Sequence, residues 1–421
     1  SIAHVEMLFK QKIISFKIKN KILYGIKKIE KEISKKKFKF DKRHEDIHMS
    51  IEKRLFEIIG QEAGYLHTAR SRNDQVITDL KIWMRSSYKI IDKMINEILK
   101  TILKIAEKNV ETIMPGFTHL KNAQAVSLGH YLMAFVEMFI RDKKRFQKSI
   151  ENLYESPLGV SALTGTSFNI DRAYTAKKLG FKNISNNSID TVSDRDFVLD
   201  FLYNSSVCSL HISRIAEELI IWNSDGFGLI HLNDKIVTGS SVMPQKKNPD
   251  LLEYLRGKAG SSYGNLFSML TILKGLPLSY FKDLQDDKEI TFKTYDNLIN
   301  SLKILNEILK NFYPNKKRML ELANSGYITA TDLADHLVQK HSMTFRDAYQ
   351  KTAIIVNYAE KRRVKLDDLT IKELKKFIPF ITLDALKIFN LKNSINSKKS
   401  YGGTSFDNIK KMIKKYKKEI C

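Results

Sequence analysis

The densest chemistry in the sequence lies between Thr238 and Asp250, Thr-Gly-Ser-Ser-Val-Met-Pro-Gln-Lys-Lys-Asn-Pro-Asp, just ahead of a helical pattern that starts at Leu251. Gly239 gives this loop freedom, Ser240 and Ser241 supply hydroxyls, and Lys246 and Lys247 add mobile positive charge. Asn248 is placed to cap the following helix with Pro249 in its first turn, so that free N–H groups and the positive dipole end face whatever the loop encloses. The expected ligand is an anion, although the same residues also suit an exposed loop before a capped helix. A second cluster, His67-Thr-Ala-Arg-Ser-Arg-Asn-Asp-Gln-Val76, has Val76 as its only large apolar side chain. Ser71, Arg72 and Asn73, with Arg70 and Gln75, form a donor set suited to carboxylates, or to a polar junction between domains. A third, Pro115 to Gln124, sets Thr118 and His119 shortly before a long helix. A lone histidine is usually structural, and His119 gains interest only through its company.

The elements that must position these residues are helices. Apolar residues recur at helical spacing over Ile82 to Ile105, Leu128 to Leu153 and Phe197 to Trp222, and period-two alternation is nearly absent. The fold class expected is all-α, with any sheet limited to a small hairpin or two. Chain breakers fall at Met114 to Gly116, Ser156 to Gly159, Gly226 to Gly228, Gly239 to Pro249 and Gly275 to Pro277, where the reactive residue types also crowd. Long helices whose ends carry the polar loops read as a bundle with its site at the helix termini. Three regions follow: 1–71, a short-helix region; 72–324, the long-helix bundle; and 325–421, a smaller helical region.

Length and charge narrow the function classes. The 421 residues hold 43% hydrophobic side chains, enough for buried cores, so a disordered or fibrous chain is excluded. Seventy-one basic and 47 acidic residues give +24, but lysine is diffuse and the runs such as Lys35 to Lys37 read as solvated faces, which argues against a nucleic-acid partner. The best apolar run, Leu128 to Ile140, is short and contains His130 and Glu137, so no membrane-spanning helix is expected. Two cysteines, Cys208 and Cys421, cannot build a disulfide framework and fit a reducing, cytoplasmic setting.

Taken together, these segments resemble the argininosuccinate lyases, a branch of the fumarase/aspartase superfamily that includes the delta-crystallins. The superfamily pattern Gly-Ser-Ser-x-Met-Pro-x-Lys-x-Asn-Pro is met at every fixed position from Gly239 to Pro249. Ser71 to Gln75, Gln245-Lys246-Lys247 and Tyr280 to Glu289 are similar to the argininosuccinate lyase branch in particular. Further matches lie at Glu45 to His48, Pro157 to Asp171, Asn187 to Asp196, Thr329 to Leu337 and Tyr401 to Thr404, so the resemblance covers essentially the whole chain.

The resemblance implies a three-domain fold with a central long-helix bundle. It also implies reversible β-elimination of argininosuccinate to arginine and fumarate, in arginine biosynthesis, without metal or organic cofactor. Removing a proton beside a carboxylate builds a doubly charged aci-carboxylate, which demands a base near that carbon and positive potential at the carboxylate. By motif position, Ser240 resembles the base, with Ser241 as the alternative, while Lys246 and Asn248 resemble the carboxylate ligands. His119 resembles the group that protonates the leaving nitrogen, directly or through water, and Glu253 the carboxylate that orients it. Asn73, Thr118, Tyr280, Gln285 and Lys288 resemble substrate ligands, with Ser71 and Arg72 nearby and Asp46 facing the cationic end. Arg70, Asp74 and Asp194 are expected to be scaffold. The resemblance further implies a homotetramer whose sites draw on three subunits.

The chain also departs from the family pattern. Family members carry a further N-terminal stretch, including a serine that touches substrate, so the resemblance leads one to expect that this chain lacks its N-terminal segment. Ala69 stands where glycine is usual, a costly exchange if that residue needs positive φ. Ala125 replaces a usual proline, and Phe281 a usual asparagine. A fumarase, an aspartase or an adenylosuccinate lyase would share the chemistry, but Ser71 to Gln75 and Lys282 to Gln285 argue against each. A non-enzymatic crystallin would be expected to lack the serine or the histidine, and both are present.

Overall fold

The computed structural model describes residues 1–41 and 43–420; Lys42 and Cys421, the second of the two cysteines, lie outside the described residues. The fold is all-α, as expected, and the β structure among the described residues consists of four two-stranded pairings. Five long helices dominate: Arg72–Lys108, Leu128–Ser149, Asp196–Asn223, Asp250–Leu273 and Asp286–Lys310. The first has 37 residues and therefore extends about 55 Å. Its buried side chains, Ile77, Leu80, Met84, Tyr88, Ile91, Ile95, Ile98 and Ile102, advance in steps of three and four, the interval that keeps one stripe of a helix facing a core. No helix among the described residues is long and apolar enough to cross a membrane.

The chain divides into two compact units, Ser1–Ile91 with Arg145–Ser205 and Tyr263–Tyr295, and Asp92–Lys144 with Ser206–Ser262 and Asp296–Cys421. Each long helix begins in one unit and ends in the other.

In the first unit, Ile2–Lys10, Phe16–Ser34 and Ile47–Ile59 bury Val5, Met7, Leu8, Ile22, Ile29 and Leu55 in one cluster. Gly25 permits the close approach of the second and third of these helices, since a Cβ there would fall 2.3 Å from the Leu55 side chain. Ser15 and Asp46 cap them, their side chains accepting from Ile18 N and Met49 N. The second unit contains an antiparallel hairpin, Ile113–Thr118 with Lys121–Ser127. It also holds a separate cluster of Leu333, Leu337, Ile355, Leu374 and Ile378 around the helices Ala330–His341 and Phe345–Arg362.

Candidate active site

The Gly239 to Pro249 loop is closed at its base by backbone pairing. Thr238 and Gly239 run antiparallel to Asn248 and Lys247, and the Thr238 hydroxyl donates to Asp250 at the head of the Asp250–Leu273 helix. The expected cap differs from the observed one. Asn248 is held in this pairing, and it is the Pro249 carbonyl that accepts from Leu252 N and Glu253 N to begin the helix. The Asn248 side-chain amide makes no hydrogen bond among the described residues.

Inside the loop, Ser240 Oγ accepts from two backbone N–H groups, Val242 N at 3.2 Å and Met243 N at 3.0 Å. Two donors on one hydroxyl oxygen stabilise charge accumulating there, the arrangement an alkoxide requires. The two lysines differ. Lys247 Nζ is held by Asp234 at 2.5 Å, whereas Lys246 makes no ion pair among the described residues. Lys246, Gln245, Asn248 and Glu253 line an open cavity of about 1090 Å³, together with Asn223 and His231. Neither of the last two is marked by a motif; His231 is carried in by the short strand Ile230–Leu232, paired with Phe312–Pro314. Glu253 lies 3.8 Å from Arg256, which also bonds Glu217 at 2.6 Å.

His119 sits at the tip of the hairpin. Thr118 pairs with Lys121, so His119 and Leu120 are the whole turn, and both take positive φ, +52° and +56°. A two-residue hairpin turn with both residues left-handed matches the strand twist but normally uses Asn-Gly. Here it is built from two side-chain-bearing residues, and the imidazole is thrust outward, exposed. Among the described residues no hydrogen bond or ion pair joins His119 to Glu253.

The remaining expected ligands belong to the first unit. Ser71 Oγ accepts from Asn73 N at 3.3 Å while the Asp74 carboxylate accepts from Ser71 N at 3.1 Å, a reciprocal cap at the start of the Arg72–Lys108 helix. Asp74 is fully buried and its second oxygen accepts from Gly159 N and Ser161 N, both at 2.9 Å. Burial pushes this carboxyl above its usual range, while the three N–H donors pull the other way. Asn73 Nδ2 donates to Ala162 O at 3.1 Å. Arg72 is engaged by Asp46 at 2.8 Å, Gln75 at 2.6 Å and Glu52 at 3.3 Å. Against the cost of burial, His67, Arg72 and Arg70 hold the Glu52 carboxyl at about 2. Asp46 thus serves as both helix cap and ion-pair partner. The side chains of Tyr280 and Gln285 make no hydrogen bond among the described residues, and Lys288 is held at 2.6 Å by Asp287, a residue that sequence reasoning passed over. Ala69 takes φ +57°, so the exchange for glycine does fall at a left-handed position.

An all-helical fold whose Gly-Ser-Ser loop offers two amides, with a lysine that makes no ion pair among the described residues beside a helix start, is equipped to bind a carboxylate and remove a proton next to it. A family model described as lyase matches residues 2–264, and one for the argininosuccinate lyase C-terminal region matches 327–396. The argininosuccinate lyase of Pelagibacter ubique is 76% identical over 418 residues, 99% of this chain and 90% of its own length. That of Ehrlichia chaffeensis is 49% identical over 417 residues, 99% of this chain and 89% of its own. Among solved structures, EDDS lyase in complex with formate superposes with a TM-score of 0.89 at 26% identity, covering 100% of this chain and 84% of its own. The fumarate lyase from Mesorhizobium sp. BNC1 shares the fold, with a TM-score of 0.79 at 16% identity over 98% of this chain and 93% of its own. The chain belongs to the argininosuccinate lyase family, a family of carbon–nitrogen lyases.

Proposed function

We propose that this chain performs the reversible β-elimination of argininosuccinate to arginine and fumarate, with Ser240 as base. The observation that carries the reading is the pair of amides on Ser240 Oγ in the same loop as Lys246, whose ammonium no carboxylate among the described residues neutralises. Ser240 takes the proton from the carbon next to the succinate carboxylate, and Lys246 and Asn248 hold that carboxylate as its charge doubles. The C–N bond then breaks with its electron pair going to the guanidino nitrogen, which is protonated from His119 or through water, with Glu253 orienting the imidazole. Hydrogen bonding to the aci-carboxylate grows as its charge doubles, so Lys246 and Asn248 act mainly on the transition state, while the two amides on Ser240 Oγ stabilise the alkoxide before it takes the proton.

Substrate is held by Asn73, Thr118, Tyr280, Gln285 and Lys288, with Ser71 and Arg72 beside them. We assign the assembly as a homotetramer with sites shared between subunits. Two observations support this: His119 is exposed with no partner among the described residues, and Tyr254, Tyr263, Phe267 and Leu270 lie exposed along the Asp250–Leu273 helix. A cytoplasmic location and the division at 1–71, 72–324 and 325–421 belong to the same proposal. The experiment is fumarate formation followed by ultraviolet absorbance, with argininosuccinate, adenylosuccinate, malate and aspartate offered in parallel. Turnover of argininosuccinate alone is expected; turnover of another substrate in its place would replace this reading.

A further inference from the structure

Asp287 lies completely buried between two cations. Its Oδ2 accepts from Arg195 Nε at 2.5 Å and its Oδ1 from Lys288 Nζ at 2.6 Å. Arg195 is as deeply buried and comes from the Asn187 to Asp196 stretch, which has no part in the reaction described above. Its Nη1 donates to Asp194 O at 2.7 Å and Val192 O at 3.3 Å, while its Nη2 is buried without a hydrogen bond among the described residues.

Successive side chains on a helix diverge by about 100°. Lys288, directly after Asp287 on the Asp286–Lys310 helix, must therefore bend back for its ammonium to reach the neighbouring carboxylate. About a third of the Lys288 side chain stays exposed, so the pinned ammonium keeps N–H groups available to a ligand. A buried ion pair is a poor stability device, since apolar residues of equal volume do as well or better. What it supplies here is direction and charge. Alone, Asp287 would neutralise Lys288; shared with Arg195, it leaves the three groups with one net positive charge at the exposed end.

We propose that Asp287, backed by Arg195, is the positioning residue of Lys288, fixing its ammonium and keeping it attractive to a carboxylate of the substrate. The inference rests on the reading of Lys288 as a substrate ligand. A free lysine would have to be ordered at each binding event, and this three-residue chain orders it beforehand.

The test is the KM of the full chain for argininosuccinate in Asp287→Asn, in the double variant Asp287→Asn with Arg195→Gln, and in Lys288→Ala. The double variant removes both buried charges together, so it folds even if the single one does not. All three should raise KM by about tenfold, roughly one charge-assisted hydrogen bond, with kcat reduced far less. A purely structural role lowers the amount of active enzyme and hence the apparent kcat, but leaves KM alone. KM within about twofold of the parent in the Asp287 variants, with Lys288→Ala raised, overturns the positioning role only. An unchanged KM in Lys288→Ala overturns that role together with the assignment of Lys288.

Discussion

Replacing Ala69 by glycine should stabilise the protein, although glycine is the more flexible residue. Ala69 holds φ at +57°, where its Cβ crowds the backbone. An L-residue pays roughly 1–2 kcal/mol for this conformation. Glycine adds about 0.4–1 kcal/mol of unfolded-state entropy, which works against the exchange. The difference is a net gain of about 0.5–1 kcal/mol. The same exchange at Ala106, buried inside the Arg72–Lys108 helix, should instead cost about 1 kcal/mol or more, because there the φ is already suited to alanine and a packed methyl is lost. Urea unfolding followed by circular dichroism at one fixed protein concentration reads both variants against the parent, with unchanged slopes required for the comparison. Opposite shifts of the two midpoints are expected. A midpoint for Ala69→Gly that falls as far as that of Ala106→Gly would refute the left-handed placement.

Three further outcomes follow from the site and its supports. Lys246→Met should lower kcat by about 10²–10³, the effect of losing a donor to developing charge. Lys247→Met, which loses only the exposed pair with Asp234, should cost less than about fivefold; equal losses would contradict the distinction. Burial, with the charge of Arg70, pushes the His4 imidazole down from 6.5 to about 3. The unfolded chain therefore binds this proton first, and stability on the order of 5 kcal/mol, complete above pH 6.5, is lost as pH falls toward 3. His4→Gln, which can still donate to Thr68 O, should flatten that acid slope in pH-dependent unfolding. Mixing inactive His119→Asn and Asn73→Ala proteins after mild dissociation should restore part of the activity. No recovery despite mixed tetramers in native mass spectrometry would place both residues in one chain's contribution to the site.

The helices were legible because their apolar stripes repeat over many turns, and the Gly239 to Pro249 loop because its residue types are too reactive to be filler. Ala69 was flagged correctly by the absence of a usual glycine. The His119 turn was not legible as a turn, since neither His119 nor Leu120 announces a positive φ. Asn248 was misread as a cap because the sequence does not reveal that Thr238, ten residues earlier, captures its backbone. Motif position alone separated Lys246 from Lys247, and the physical distinction is made by Asp234, which pairs with Lys247 from outside the loop. The link from Arg195 to Asp287 spans 92 positions and leaves no local pattern. Asp74, expected to be scaffold, is so by accepting three backbone N–H groups, a role set in part by the Gly159 to Ser161 turn.

The central claim is that the amide-held oxygen of Ser240 removes the proton, and the direct measurement is steady-state turnover of argininosuccinate by Ser240→Ala and Ser241→Ala side by side. Ser240→Ala should lose about 10²–10⁴ in kcat, the usual effect of removing a general base, with KM little changed, and Ser241→Ala should stay within about tenfold of the parent. Turnover that survives in Ser240→Ala and disappears in Ser241→Ala would contradict it.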